Sequence, residues 1–280
     1  MKRFVKNVVA PVVVAAGLSS LGAAISYASD AWQSEDMARA RLVSAQTATN
    51  GDQSVILGFQ IELKEGWKTY WRTPGDSGLP PVFNWSGSQN FKSAQVKWPR
   101  PEGFDSFGLS TWGYSKEILL PIQIDIEDPS KPLTAKLQVS YGVCEAVCVP
   151  IQQQFTVHLE AKKAVPTIHS ERITHFEKRV PKSVLDTSYI NALNITAISE
   201  DMIEIEVRGQ PVFQNPEIIL EGENGDYFEL RKMSISEEGQ RVVFGIGVDA
   251  VNRDLPLKGR QLTVTLLDEN LAIEDSKIVE

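Results

Sequence analysis

Cysteine is nearly absent from this chain: its 280 residues hold two, Cys144 and Cys148. Histidine is scarce as well, with only His158, His169 and His175. A disulfide-dense scaffold is thereby excluded, and few imidazole or thiolate ligands remain for a transition metal. No Ser/His/Asp arrangement and no metal-ligand spacing emerges, so hydrolysis finds little support. Acidic pairs such as Glu35/Asp36 and Glu237/Glu238 read as solvated surface. Positive charge is also short. Lys and Arg total 28 against 36 Asp and Glu, a net charge of −8. That argues against nucleic acid as a partner, because phosphate binding needs clustered cations. No segment beyond the N-terminus is apolar enough to span a bilayer. Tryptophan stops at Trp112, with five of the six between Trp67 and Trp112.

The N-terminus has what the rest lacks. Met1-Lys2-Arg3-Phe4-Val5-Lys6 is a basic start, followed by an apolar, small-residue stretch from Val8 to Ile25. Ser26-Tyr27-Ala28 then offers small residues at the −3 and −1 positions of signal cleavage. An uncleaved anchor is the competing reading. The stretch is Ala/Gly/Ser-rich, broken by Pro11, and at about 18 residues short of the ~20 a span needs. Residues 1–28 are therefore expected to be a signal peptide cleaved after Ala28. The mature protein is expected in the periplasm, with no stable membrane insertion. Cleavage lowers the basic count to 25 and moves the net charge to −11.

In an oxidising compartment two cysteines can pair. Cys144 and Cys148 lie four apart in Tyr141-Gly142-Val143-Cys144-Glu145-Ala146-Val147-Cys148-Val149-Pro150. On a helix, residues four apart have Cβ atoms about 5–6 Å from each other, too far for a bridge. A hairpin with a three-residue loop could set them opposite each other. Such a bridge closes almost no chain and stabilises little by entropy. Its reason to exist is then more readily chemical than structural.

Elsewhere the pattern is period two. Val55, Leu57, Phe59, Ile61 and Leu63 alternate along one segment, Ile118 to Ile126 along a second, and Leu133 to Tyr141 along a third. Phe155, Val157 and Leu159 give a further short strand. Alternation of this kind marks half-buried antiparallel strands, and turn residues at Gly51-Asp52, Pro74-Gly75-Asp76 and Asp128-Pro129-Ser130 separate them. The pattern breaks at Lys162-Lys163-Ala164-Val165-Pro166. A short helix is expected within His169–Val180, with Ile173, Phe176 and Val180 on one face and Pro181 ending it. Alternation resumes at Ile203, Ile205 and Val207, at Val242 to Val248, and at Leu262 to Leu266. The expected fold is all-β. Two immunoglobulin-like antiparallel sandwiches, residues 29–162 and 188–280, are joined by a partly helical linker over 163–187. The second domain shows no chemical constellation, so a spacer or docking role is its default.

Two stretches of the first domain stand out. Tyr70-Trp71-Arg72-Thr73-Pro74-Gly75-Asp76-Ser77-Gly78-Leu79-Pro80-Pro81 is dense in turn formers and reads as a long ordered loop. Its plain reading is a rigid corner packed by Trp71 and Trp85. Gly103 to Tyr114 mixes glycines with aromatics and suits a lid.

These residues together resemble the N-terminal periplasmic domain of the DsbD family of thiol:disulfide interchange proteins. The similarity is to the branch of the copper-sensitivity-suppressor reductase ScsB. It rests on Glu65-Gly66-Trp67 through Tyr70-Trp71-Arg72, on Pro74 to Pro81, on Val96-Lys97-Trp98-Pro99, on Gly113-Tyr114 with Glu117, and on the cysteine motif. The match spans about residues 35–160. The resemblance implies an immunoglobulin-like sandwich with a redox-active Cys144/Cys148 pair and no cofactor or metal. It implies that Cys148 attacks the client disulfide and that Cys144 resolves it. The local sequence supplies no cation to lower either thiol pKa, and Glu145 would oppose a thiolate. Tyr70, Trp71, Asp76 and Tyr141 are expected to support the pair. Phe107, Leu109, Trp112 and Tyr114 are the lid candidates, with Gly103, Gly108 and Gly113 as hinges. For Trp112 and Tyr114 a core position is the competing view.

Best-known relatives place more residues between the cysteines. The chain also shows no multi-span core and no thioredoxin-like module, so the resemblance implies a membrane reductase of the DsbD or CcdA type as electron donor. Thioredoxin-like periplasmic proteins would be further partners. Clients in disulfide isomerisation, cytochrome c maturation or copper tolerance are all compatible with it. Two other readings remain at this stage: a binding protein with a structural disulfide, and a copper-handling protein.

Overall fold

The computed structural model describes residues 31–106, 109–210, 212–223, 225–252 and 255–280. The expected signal peptide lies outside these residues, and so do Phe107 and Gly108. Among the described residues the first domain holds eleven strands: β1 (Gln33–Ser34), β2 (Ala38–Ser44), β3 (Ser54–Leu63), β4 (Lys68–Gly75), β5 (Val82–Asn84), β6 (Phe91–Val96), β7 (Glu102–Ser106), β8 (Leu109–Ser115), β9 (Glu117–Ile126), β10 (Leu133–Cys144) and β11 (Cys148–Leu159). One sheet runs β1-β2-β3-β9-β6 and the other β11-β10-β4-β8-β7, with β5 also paired to β10. Alternation decides which side chains meet between them. Val55, Leu57, Phe59 and Ile61 of β3 are at most 1% exposed, and they face Leu137, Val139, Tyr141, Phe155 and Val157 from the other sheet. Burying a side chain of this size stabilises by about 1.5–3 kcal/mol. The Phe59 ring meets Phe83, Tyr141 and Phe155 edge-on, each at 5.8 Å.

The expected helix forms as α1 (Ser170–Glu177), with Ile173 and Phe176 buried and Val180 half-buried beyond its end. Rather than crossing open space, it lies on the outer face of the first sheet. A Cβ added at Gly58 would sit 2.9 Å from Leu119 and 3.1 Å from Ile173. The missing side chain lets the helix approach that closely.

Among the described residues seven strands make the second domain: β12 (Ile190–Ala197), β13 (Met202–Gly209), β14 (Glu217–Glu221), β15 (Tyr227–Ile235), β16 (Arg241–Asp249), β17 (Gln261–Asp268) and β18 (Leu271–Ile278). They form sheets β12-β13-β16-β15 and β14-β17-β18. Ile203, Ile205, Val207, Val242, Phe244, Ile246, Val264 and Leu266 fill the space between them. The chain is therefore two antiparallel β-sandwiches, an all-β fold. The second is seated directly on the first. Ile219 of β14 and Leu267 of β17 are buried in the first domain's core, with Ala272 packed beside them. Lys182 of the connecting segment donates its N–H to the Ala272 carbonyl at 3.0 Å and accepts from the Glu274 N–H at 2.9 Å.

Candidate functional site

The two cysteines form a disulfide at the tip of the longest hairpin. Strands β10 and β11 pair over twelve residues, and Cys144 faces Cys148 as the last pair before the turn. Three residues, Glu145 to Val147, close that turn. The sulfurs are unequal in exposure because of sheet order. Strand β10 has a neighbour on both sides, and Cys144 also pairs with Lys68 of β4. Strand β11 is an edge. Cys144 is accordingly 3% exposed, whereas Cys148 is open to solvent.

Strand β4 supplies the side chain that touches the pair. Its period of two places Lys68, Tyr70 and Arg72 on one face and buries Trp71 in the core. The Tyr70 hydroxyl donates to Cys144 Sγ at 2.9 Å and lies 3.3 Å from Cys148 Sγ. Burial raises the Tyr70 pKa, so the phenol stays protonated and remains a donor. A donor aimed at sulfur favours the thiolate form once the pair is reduced. Lys68, directly across from Cys144, brings a cation to the same face and stacks its ammonium 4.6 Å from the Phe104 ring. Local sequence around the cysteines contains no cation; the neighbouring strand sets Lys68 opposite Cys144, with its ammonium on the Phe104 ring. Glu145 turns aside over Gly66, where an added Cβ would lie 2.6 Å from its carboxylate.

The turn-rich stretch covers Tyr70. A Cβ at Gly78 would sit 2.6 Å from two Tyr70 ring carbons and 2.8 Å from Pro74. The loop thus lies flush on the ring, in a backbone conformation (φ +147°) that favours glycine. Gly142, two residues before Cys144, performs the matching service: Leu79 Cβ would be 2.7 Å from a side chain there, and the Gly142 N–H donates to the Leu79 carbonyl at 3.1 Å. Asp76 anchors the loop. Its carboxylate accepts from the Ser110 N–H at 2.8 Å, and its own N–H donates to the Ser110 carbonyl at 3.0 Å.

The other expected site residues are dispersed. Tyr141 and Trp71 are core side chains; the Tyr141 hydroxyl donates to Gln153 at 3.1 Å, and burial raises its pKa. In the expected Gly103–Tyr114 lid, the described residues form a strand pair, β7 and β8. Gly103 faces Trp112 and Gly113 faces Glu102 in the β7–β8 ladder, so these glycines serve pairing and close packing instead of hinging. Tyr114 is not a cover. It is 2% exposed, its hydroxyl donates to the Pro99 carbonyl at 2.8 Å, and burial drives its pKa well up. Trp112 is half-buried against the core, and Leu109 is exposed at the strand's start. The first-choice cover, Phe107, falls outside the described residues. What demonstrably overlies the pair is Tyr70, with the Gly75–Leu79 loop on its ring. The period-two series Lys68, Tyr70, Arg72 was the available signal for this.

Near the tip, Leu79, packed against Gly142, and Val147, in the turn itself, expose apolar surface. No group of three metal-ligating side chains occurs among the described residues. His158 is engaged by Thr134 at 2.9 Å and Glu160 at 3.0 Å, and His175 packs edge-on to Phe176.

Residues 39–160 match the family described as thiol:disulfide interchange protein DsbD, N-terminal. Residues 179–280 match a domain of unknown function. No curated protein matches the chain. Among solved structures, the crystal structure of the N-terminal periplasmic domain of ScsB from Proteus mirabilis is similar in fold. The TM-score is 0.71 and the identity 22%, over 89% of this chain and 97% of that one.

Proposed function

We propose that this chain, whose residues 39–160 form a thiol:disulfide interchange domain of the DsbD N-terminal family, works in the periplasm as a carrier of reducing equivalents. The unequal pair of sulfurs carries the reading. One is open at a sheet edge; the other is buried beneath a protonated phenol. A dithiol donor's thiolate attacks the exposed Cys148 sulfur, the disulfide breaks, and Cys144 leaves as a thiolate stabilised by Tyr70. The donor's second thiol then attacks the mixed disulfide. The donor ends as a disulfide and the carrier as a dithiol, with two electrons and two protons transferred. Toward a client the sequence reverses: Cys148 attacks the client disulfide, and Cys144 attacks Cys148 to release the reduced client. The donor in this reading is a membrane reductase of the DsbD or CcdA type, and thioredoxin-like periplasmic proteins are the nearest partners. Export with cleavage after Ala28, and a division into 29–162, 163–187 and 188–280, belong to the same proposal.

The exposed apolar rim of Leu79 and Val147 supports docking of a partner surface over Cys148. Two trap variants test the assignment. Cys144→Ala should accumulate a mixed disulfide with a thioredoxin-like partner, and Cys148→Ala should not. Equal trapping by both would reverse or remove the roles. A purely structural bridge is distinguished by its potential, which in exported proteins lies below about −300 mV.

A further inference from the structure

We propose that the second domain sets how firmly the disulfide is covered, acting across the domain boundary through Glu221, Glu274 and Tyr227. Its functional meaning rests on the carrier reading; its evidence is a separate set of contacts. Arg72 follows Tyr70 by two positions on the same face of β4. Its guanidinium lies 4.0 Å over the Trp71 ring and reaches into the second domain. There Nε donates to both Glu221 oxygens at 3.0 and 3.1 Å, Nη2 donates to Glu221 at 2.6 Å, and Nη2 also donates to Glu274. All three side chains are less than a third exposed. Forked, partly desolvated pairing of this kind is much stronger than a surface ion pair. Glu274 is itself oriented by the Thr265 hydroxyl at 2.8 Å.

The second contact falls on the loop. Tyr227, first residue of β15, donates its hydroxyl to Asp76 at 3.2 Å. Asp76 belongs to the loop whose Gly78 rests on the Tyr70 ring. The second domain therefore grips both segments that hold Tyr70 over the sulfurs: the strand at Arg72 and the loop at Asp76. Neither grip touches a sulfur, so these are positioning residues. With the grip released, the loop is free to lift and Tyr70 to withdraw, uncovering Cys144 and removing the hydroxyl that stands 3.3 Å from Cys148 Sγ, so a small thiol approaches the bridge more freely. With it intact, Tyr70 narrows the approach to Cys148, and a partner that docks on the tip is favoured over a passing thiol.

The test uses the full mature chain in its oxidised form, with dithiothreitol as the probe. Dithiothreitol reduces the bridge to two thiols and becomes a cyclic disulfide. The Glu221→Gln/Glu274→Gln variant should be reduced faster, by about fivefold or more, a factor that one lost hydrogen bond of ordinary strength already gives. Tyr227→Phe, at a half-exposed position that tolerates the change, should show a smaller acceleration. In a Tyr70→Ala background both changes should add nothing, because the element they position is gone. Parent-like rates in both variants would overturn the proposal, as would full additivity with Tyr70→Ala. Should the double variant fail to fold, Tyr227→Phe alone decides by the same criteria. Failure of the carrier reading appears elsewhere: the parent would not exchange with thioredoxin-like proteins, whatever the dithiothreitol rates.

Discussion

The two sandwiches obey one rule inside and differ outside. In each, alternate residues of long antiparallel strands fill the gap between sheets, Phe59 at the centre of one and Phe244 of the other. On the outer face of the first domain's second sheet, a loop lies down on a strand, and glycines at 78 and 142 let it come close. On the outer face of the second domain, β15 stays bare, with every residue exposed but one. Chemistry sits where a loop crosses a strand, and the sandwich only fixes the place. A fold of this class is therefore a poor guide to activity until its outer faces are inspected.

The likeness of the interiors is tested by the largest changes. Phe59→Ala and Phe244→Ala should each cost about 3–5 kcal/mol in chemical unfolding. A much smaller cost for Phe244→Ala would mean that the second core is loosely packed and the parallel fails.

The contrast of the exteriors is sharpened by two glycines. Gly78→Ala meets both backbone strain and the Tyr70 ring, and should cost about 2–4 kcal/mol. Gly259→Ala in the second domain has a positive φ of 91° but nothing within 4 Å, so it should cost only the strain, about 1–2 kcal/mol. Equal costs would show that the loop over Tyr70 yields freely.

Tyr70→Phe probes the sulfur contact alone. The ring remains and the donor goes. In the reduced protein carrying Cys148→Ala, alkylation of Cys144 at neutral pH should slow about fivefold as the thiolate loses its hydrogen bond. A rate that does not change would reduce Tyr70 to a packing residue.

The smallest effect lies in an ordinary turn, far from either grip. Hydrogen bonds from the Ser130 hydroxyl, then from Lys131 and the Ser130 N–H, hold Asp128 down from 3.8 to about 2. A depressed carboxylate contributes stability above its unfolded pKa and loses it as pH falls through the folded one. Unfolding midpoints of the parent and Asp128→Asn should differ slightly at neutral pH and converge between pH 3.8 and about 2. A gap that persists at the lower limit would assign the effect to something other than charge.

Sequence was informative where physics is local. Alternation marks strand faces, so both cores and the helix with Ile173 and Phe176 were readable. The Cys144–Cys148 spacing already favoured a hairpin. Contacts between strands distant in sequence were not readable, because register is set by tertiary packing. Lys68 stands opposite Cys144 across 76 positions, and nothing near the cysteines announces it. For the same reason the strand pairing of Gly103 and Gly113 was not readable; Phe107 and Gly108 of the expected lid lie outside the described residues. Glycines beside aromatics suit a flexible loop, but here they are paired strands, with Gly113 packed against the Thr69 backbone. Arg72 looked like one more polar residue in a loop; only the second domain's position gives it three carboxylate-oxygen partners.

The β10–β11 hairpin has a consequence for traffic. Twelve ladder pairs hold its backbone, and the bridge only staples the last of them. Breaking the bridge removes none of those ladder pairs, so the reduced form is expected to present nearly the same contour as the oxidised one. In the carrier reading proposed above, donor and client would then meet one shared landing place and use it in turn. A carrier built this way obeys substituted-enzyme (ping-pong) kinetics, and an excess of either partner inhibits by occupying the berth the other needs.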